Sequence, residues 1–286
     1  MDIKQITVIG GGSMGHGIVQ VCAQSGFNVC LVSGRFKEEA VRDSLAKIKK
    51  FLQGSVERQK MTQEQADDIM GRIKGTANLK EGVQNSDFII EAIGENLEIK
   101  HNLFKQVDEL APPHAIFASN TSYQSITEIA SVTKRLDKFV GTHWFNPPQI
   151  MRGVEVVLTE KTSKETLDTT VDLCKKLGKE PAVCSDSPGF IANHLLGVWR
   201  NEAYKLYDRR VASMKDIDTA FKVGYNFRMG QFELGDLAGL DVVLVGANTL
   251  YKELGKEIFA PAHCHAMKVR AGNYGRKTGR GFYEYK

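Results

Sequence analysis

The apolar positions of this chain change period repeatedly, and the changes mark its elements. Short apolar runs recur at 5–9 (QITVI), 28–32 (NVCLV), 87–93 (DFIIEAI), 115–119 (AIFAS), 138–144 (KFVGTHW), 153–158 (GVEVVL) and 181–184 (PAVC). Runs of that length, rich in Val, Ile and Phe, predict strands. Between them the apolar spacing turns helical. It predicts helices over 13–25 with Gly26 as the stop, over 96–109, and from a Ser163 cap to Gly178. The charged amphipathic stretch 36–75 carries a break near Gly54 and reads as two helices, a hairpin instead of a simple crossover. Strands alternating with helices predict an α/β fold: a mostly parallel sheet covered on both faces.

After Pro188 the strand period disappears. Residues 189–208 have helical spacing, and Ser213-Met-Lys-Asp216 resembles a capping-box start to a helix stopping at Gly224. Residues 233–254 and 257–270 also read as helical. The expected organisation is therefore an α/β domain over 1–185 and a smaller all-α domain over 186–286.

Composition adds limits. Of 286 residues, 42% are hydrophobic and 25% charged, as in a globular chain with a real core. A net charge of +4 is too small to suggest a nucleic-acid partner. Lys47, Lys49 and Lys50 form a local basic cluster that could serve a small polyanion or simply face solvent. Five cysteines with no CxxC pair fit a reduced, cytoplasmic protein. His263-Cys264-His265 invites a metal reading, but three consecutive side chains diverge, so no metal is expected. No secretory leader and no membrane span are expected either.

The first chemical signal is Gly10-x-Gly12-x-x-Gly15, between the first strand and the first helix. The first glycine permits the tight turn, and the second lets a pyrophosphate approach the backbone. The third allows close helix–strand packing, and the helix start offers N–H donors to the anion. The strand–turn–helix setting makes this a Rossmann-type dinucleotide motif, with Ser13 and Met14 inside the loop. Such folds usually carry an acid at the end of the second strand, on the adenosine ribose 2′-hydroxyl. Here that place, 21 residues after Gly12, holds Ser33, then Gly34 and Arg35. A carboxylate would repel a 2′-phosphate, whereas Ser33 can donate to one and Arg35 offers a fork of donors. The reading is NADP(H) preferred, with NAD(H) as the alternative if Arg35 is a solvated loop residue.

The second signal is ASNTSYQSITE at 118–128, followed by GTHWFNPPQIMRGVEVV at 141–157. His143 ends one strand and Glu155 lies on the next. A His beside a carboxylate is a general acid/base unit, because the carboxylate fixes the tautomer and stabilises the charged ring. Ser122 follows another strand on the carboxyl side of the sheet, where ligands bind in such folds.

SNTS, HWFNP, VEVV, SPGFIANHLL, RMGQFELGDLAGLD and GRKTGRGFYEY occur in one order along nearly the whole chain. In these motifs the sequence resembles the 3-hydroxyacyl-CoA dehydrogenases, most of all the bacterial (S)-3-hydroxybutyryl-CoA branch. The resemblance implies His143 as the base that removes the 3-hydroxyl proton, or the acid that returns it, with Glu155 orienting it. It implies Ser122 and Asn193 as hydrogen-bonding partners of the reacting oxygen and thioester. Glu95, Lys100, Asn146 and Lys277 would match positions near the cofactor. Lys60 would face the CoA nucleotide from the helical hairpin, and the all-α domain would build the substrate cleft and a homodimer interface. The implied reaction interconverts acetoacetyl-CoA and (S)-3-hydroxybutyryl-CoA, in a butyrate- or butanol-forming role. The chain departs from the family pattern at Ser33-Gly34-Arg35 and at Tyr123. It departs also at Arg152-Gly153, at RMGQ over 228–231 and at Gln53-Gly54. Two other readings stand beside this one: a dehydrogenase of a free hydroxy acid, and a non-catalytic nucleotide-binding protein that has kept the fold.

Overall fold

The computed structural model describes residues 1–285; Lys286, the last residue of the second expected domain, lies outside them. The chain divides into two compact units, Met1–Asp186 and one beginning at Ser187.

The first unit is one eight-stranded sheet in the order β3-β2-β1-β4-β5-β6-β7-β8. Its strands are β1 (Gln5–Ile9), β2 (Asn28–Val32), β3 (Ile73–Thr76), β4 (Phe88–Glu91), β5 (Ile116–Ser119), β6 (Phe139–Trp144), β7 (Gly153–Leu158) and β8 (Glu180–Ser185). Every neighbouring pair is parallel except β6–β7. The helices are α1 (Gly15–Gln24), α2 (Glu38–Glu57), α3 (Gln63–Gly71), α4 (Leu79–Val83), α5 (Leu97–Leu110), α6 (Ile126–Ala130) and α7 (Lys164–Lys176).

The central strands are apolar without alternation because both faces are covered. In β5, Ile116 and Ala118 join a core shared with Ile18, Leu31, Ile48 and Leu173. Phe117, pointing the other way, packs with Phe104 and Phe139 at ring-centroid distances of 5.9 and 6.2 Å. The Arg135 guanidinium lies 4.5 Å from the Phe117 ring.

The hairpin differs from the sequence expectation. Helix α2 runs through Gly54, where nothing lies within 4 Å of an added Cβ, so the glycine there only weakens a long helix. The turn comes later, with Gln59 at φ 55°, and Thr62 and Gln65 then cap α3 reciprocally. The end of the expected second helix is instead the edge strand β3. Its sequence IKGT carries no helical signal, and a Cβ on Gly75 would come within 2.4 Å of Val41 on α2. Helices α4 and α6 are single turns, too short for a periodic signature.

The second unit contains α8 (Ala192–Asp208), α9 (Met214–Thr219), α10 (Gln231–Ala238), α11 (Leu240–Leu254) and α12 (His263–Arg270). Ser213 caps α9, which runs into a π turn over Ala220–Gly224. The helix expected over 233–254 is two helices, because Gly239 adopts φ 95°. The core is aromatic: Tyr204, Phe232 and Phe282 have mutual ring distances of 4.7–4.9 Å. Asp236 accepts from the backbone N–H groups of Phe282 and Tyr283 and so ties down the C-terminal segment.

Candidate active site and dinucleotide cavity

Parallel pairing brings the carboxyl ends of β1, β2, β4, β5 and β6 to one edge of the sheet. The glycine turn after β1 is built as its residues require. Gly10 adopts φ 107°, and a Cβ there would meet the Ala92 carbonyl oxygen at 2.5 Å. A Cβ on Gly15 would fall 1.7 Å from the Gly10 oxygen, so this glycine lets α1 begin against the turn. α1 therefore starts at Gly15 and not at Ser13; Ser13 lies exposed in the turn and Met14 packs partly against the core. Gly12 is different: nothing lies within 4 Å of its missing Cβ. The open space belongs to a cavity of about 350 Å³.

That cavity is lined by Gly10, Gly12, Ser33 and Arg35, which the sequence proposes for the cofactor, and by groups it did not assign to one. Among these are Asp43, Ser44 and Lys47 from α2, and Ala92–Gly94 after β4. Ser44 Oγ donates to the Gly11 carbonyl at 3.0 Å and holds α2 against the turn. Ser33 is buried, and its Oγ accepts from the backbone N–H groups of Arg35 (3.3 Å) and Lys37 (3.4 Å). Those bonds spend lone pairs and leave the hydroxyl proton to be donated. Beside the cavity is an apolar slot of about 160 Å³ between Phe36, Ile93, Ile99 and Leu103. A glycine turn at a helix start, a cavity and an apolar slot fit a dinucleotide with its pyrophosphate and adenine.

Further along the edge, His143 and Glu155 are register partners across the one antiparallel pair. His143 Nδ1 lies 2.6 Å from Glu155 Oε2, with both residues buried. The carboxylate accepts the Nδ1 proton, so Nε2 is the nitrogen that can exchange a proton with a substrate. The loop after β6 is held from below: Lys179 Nζ donates to the carbonyls of Pro148 (2.6 Å) and Met151 (2.8 Å). Burial pushes the Lys179 ammonium below its usual range.

Ser122 lies in the turn after β5, where its backbone N–H donates to Glu95 Oε1 at 2.8 Å. Asn146 lies exposed in the turn after β6. Lys100 is fully buried and reaches the site through Glu95, whose Oε2 is 3.6 Å from its Nζ. Lys60 is exposed between α2 and α3. In the second unit Asn193 occupies the first turn of α8, and Lys277 Nζ pairs with Asp241 Oδ2 at 2.6 Å. His265 Nε2 donates to the Leu240 carbonyl (2.8 Å), inside the helical core. All five thiols are pushed up, foremost by burial, to about 11 for Cys30 and Cys184 and about 12 for Cys174 and Cys264. Thiolate chemistry at neutral pH is thereby disfavoured. Among the described residues no helix is long and apolar enough to cross a membrane.

Comparison with known proteins finds relatives along the whole chain. Residues 5–187 match the family described as 3-hydroxyacyl-CoA dehydrogenase, NAD binding domain, and residues 189–285 match its C-terminal domain. The 3-hydroxybutyryl-CoA dehydrogenase of Clostridioides difficile is 44% identical, covering 98% of this chain and 99% of the relative. The mitochondrial hydroxyacyl-coenzyme A dehydrogenase of Sus scrofa is 42% identical, covering 99% and 92%. The crystal structure of (S)-3-hydroxybutyryl-CoA dehydrogenase from Ralstonia eutropha superposes with a TM-score of 0.96 at 37% identity, over 100% of both chains.

Proposed function

Because the chain belongs to the 3-hydroxyacyl-CoA dehydrogenase family of CH–OH oxidoreductases, we propose that it interconverts acetoacetyl-CoA and (S)-3-hydroxybutyryl-CoA, with NADP(H) preferred. The observation that carries the reading is the buried His143–Glu155 pair, 2.6 Å apart at the sheet edge that also bears the glycine turn.

In the oxidising direction His143 Nε2 takes the 3-hydroxyl proton; a dinucleotide held at the Gly10–Gly12 turn would supply the nicotinamide as hydride acceptor for C3. Glu155 stabilises the imidazolium that forms. Ser122 donates to the oxygen as alkoxide-like charge builds there. In reduction the same proton returns from His143 to that oxygen. The family pattern would give Asn193, in the first turn of α8, a hydrogen bond to the substrate.

The NADP(H) preference rests on Ser33 and Arg35 in the cavity lining, with Lys47 a third basic or donor group facing the same space. Arg35 and Lys47 outweigh Asp43, so the lining favours an added phosphate. NAD(H) is the second reading. The matched domain is described as NAD binding, and Asp43 could accept from a ribose hydroxyl. Glu95, Lys100 through Glu95, Asn146 and Lys277 would serve the cofactor, and Lys60 the CoA phosphates. A homodimer through the helical domain is supported by exposed Leu195 and Trp199 on α8 and Val242 and Val245 on α11. The proposed setting is the cytoplasm.

The test is reduction of acetoacetyl-CoA and of free acetoacetate by purified protein, with NADPH and NADH in parallel, followed by nicotinamide absorbance. Turnover of the thioester, faster at low NADPH, supports the whole reading. Faster turnover with NADH removes only the cofactor preference. Turnover of acetoacetate alone points to a free hydroxy acid, and none at all to a binding protein.

A further inference from the structure

Glu91 is the last residue of β4 and has no solvent exposure. A buried carboxylate is costly unless it is paired and hydrogen-bonded, and this one is both. Oε1 accepts from Lys100 Nζ at 2.6 Å and from the Ile93 backbone N–H at 2.7 Å. Oε2 accepts from Ser119 Oγ at 2.5 Å.

Two routes of contact leave this carboxylate and meet on one turn. The first runs through Lys100 to Glu95, which accepts from Thr121 Oγ1 at 2.7 Å and the Ser122 backbone N–H at 2.8 Å. The second runs through Ser119 Oγ, which accepts from the Thr121 backbone N–H at 3.3 Å. The Glu91 carbonyl also accepts from Asn120 N at 2.8 Å. Lys100, equally buried, is one cation between two anions. Stability alone does not call for that arrangement, since apolar side chains of similar volume usually fill such a space at lower cost.

We propose that Glu91 is a positioning residue for Ser122: it fixes Lys100 and Ser119, and through them the turn from which the Ser122 hydroxyl reaches the reacting oxygen. The inference rests on the reading of Ser122 as a donor to that oxygen. A displacement of about 1 Å at such a donor costs on the order of 100-fold in rate.

The experiment is a double-mutant cycle on acetoacetyl-CoA reduction, with thermal unfolding of each variant as the check on folding. Glu91→Gln keeps the side-chain size and removes the charge. It is expected to lower kcat about 10- to 100-fold with a smaller change in cofactor KM. In a Ser122→Ala background the same substitution is expected to lower kcat less than about threefold, because no hydroxyl is left to misplace. Should Glu91→Gln fail to fold, Ser119→Ala leaves the ion pair intact and tests the second route; its penalty too should vanish in the Ser122→Ala background. Equal penalties in both backgrounds, with Ser122→Ala itself impaired, overturn the inference and leave the reading of Ser122 standing. Ser122→Ala turning over like wild type removes that reading, and the inference with it.

Discussion

His143 and Glu155 face each other across the single antiparallel pairing of the sheet, Nδ1 to Oε2, at 2.6 Å. Direct register across two buried strands puts both side chains on one face, within hydrogen-bond reach of each other. The carboxylate thus sets the tautomer and steadies the charged ring. Glu155→Gln is expected to lower kcat about 10- to 100-fold. Steady-state kinetics of the two proteins, with thermal unfolding as the check on folding, reads the loss.

The cavity beside Gly12 yields a paired prediction. Gly12→Ala meets no protein atom, so it should leave stability within about 0.5 kcal/mol while weakening cofactor binding. Gly15→Ala drives a Cβ against the Gly10 carbonyl and should lower thermal stability as well as binding. Thermal unfolding and cofactor titration of both variants separate ligand space from packing space.

Cofactor choice should be transferable. Arg35→Ala is expected to raise the KM for NADPH about 10-fold or more and to leave that for NADH within about threefold, as loss of a charge-assisted donor pair requires. Ser33→Asp places a carboxylate against the 2′ position and should turn the preference toward NADH. Steady-state kinetics with each cofactor reads both. Equal effects of Arg35→Ala on the two cofactors would sink the phosphate assignment.

His265 gives an acid-stability prediction. Burial in the helical core pushes its imidazole down to about 4 from the usual 6.5. The unfolded chain therefore binds a proton that the folded chain refuses. Stability is complete above pH 6.5 and is lost as the pH falls from 6.5 towards 4, by about 2 kcal/mol at pH 5. Urea midpoints at pH 7 and pH 5 should diverge in wild type and diverge less in His265→Gln.

Much of this could be read from residues because local signals agreed with the fold. The glycine turn, the strand runs and the Ser163 cap each point to one structure without help from elsewhere. What escaped was what depends on neighbours far along the chain. β3 is a strand because β2 offers it an edge, not because IKGT asks for one. Gly54 reads as a break, yet tertiary packing of α2 through Ile48 and Leu52 overrides it. Lys47 was visible as one of a basic cluster, but only the packing of Ser44 against Gly11 turns that helix face to the cavity. Glu91 carried no signal at all, because DFIIEAI reads as an ordinary strand with a polar residue. Its meaning lies in Lys100, Ser119 and Glu95, which the fold gathers from three segments.

The most direct measurement is NADPH oxidation driven by acetoacetyl-CoA, with wild type and His143→Ala side by side and their unfolding curves recorded. Wild type should turn over, and His143→Ala should lose about 100- to 10,000-fold in kcat while keeping its fold and its cofactor affinity. A folded His143→Ala that turns over like wild type, or a wild type that leaves the thioester unreduced with either nicotinamide, would contradict the account.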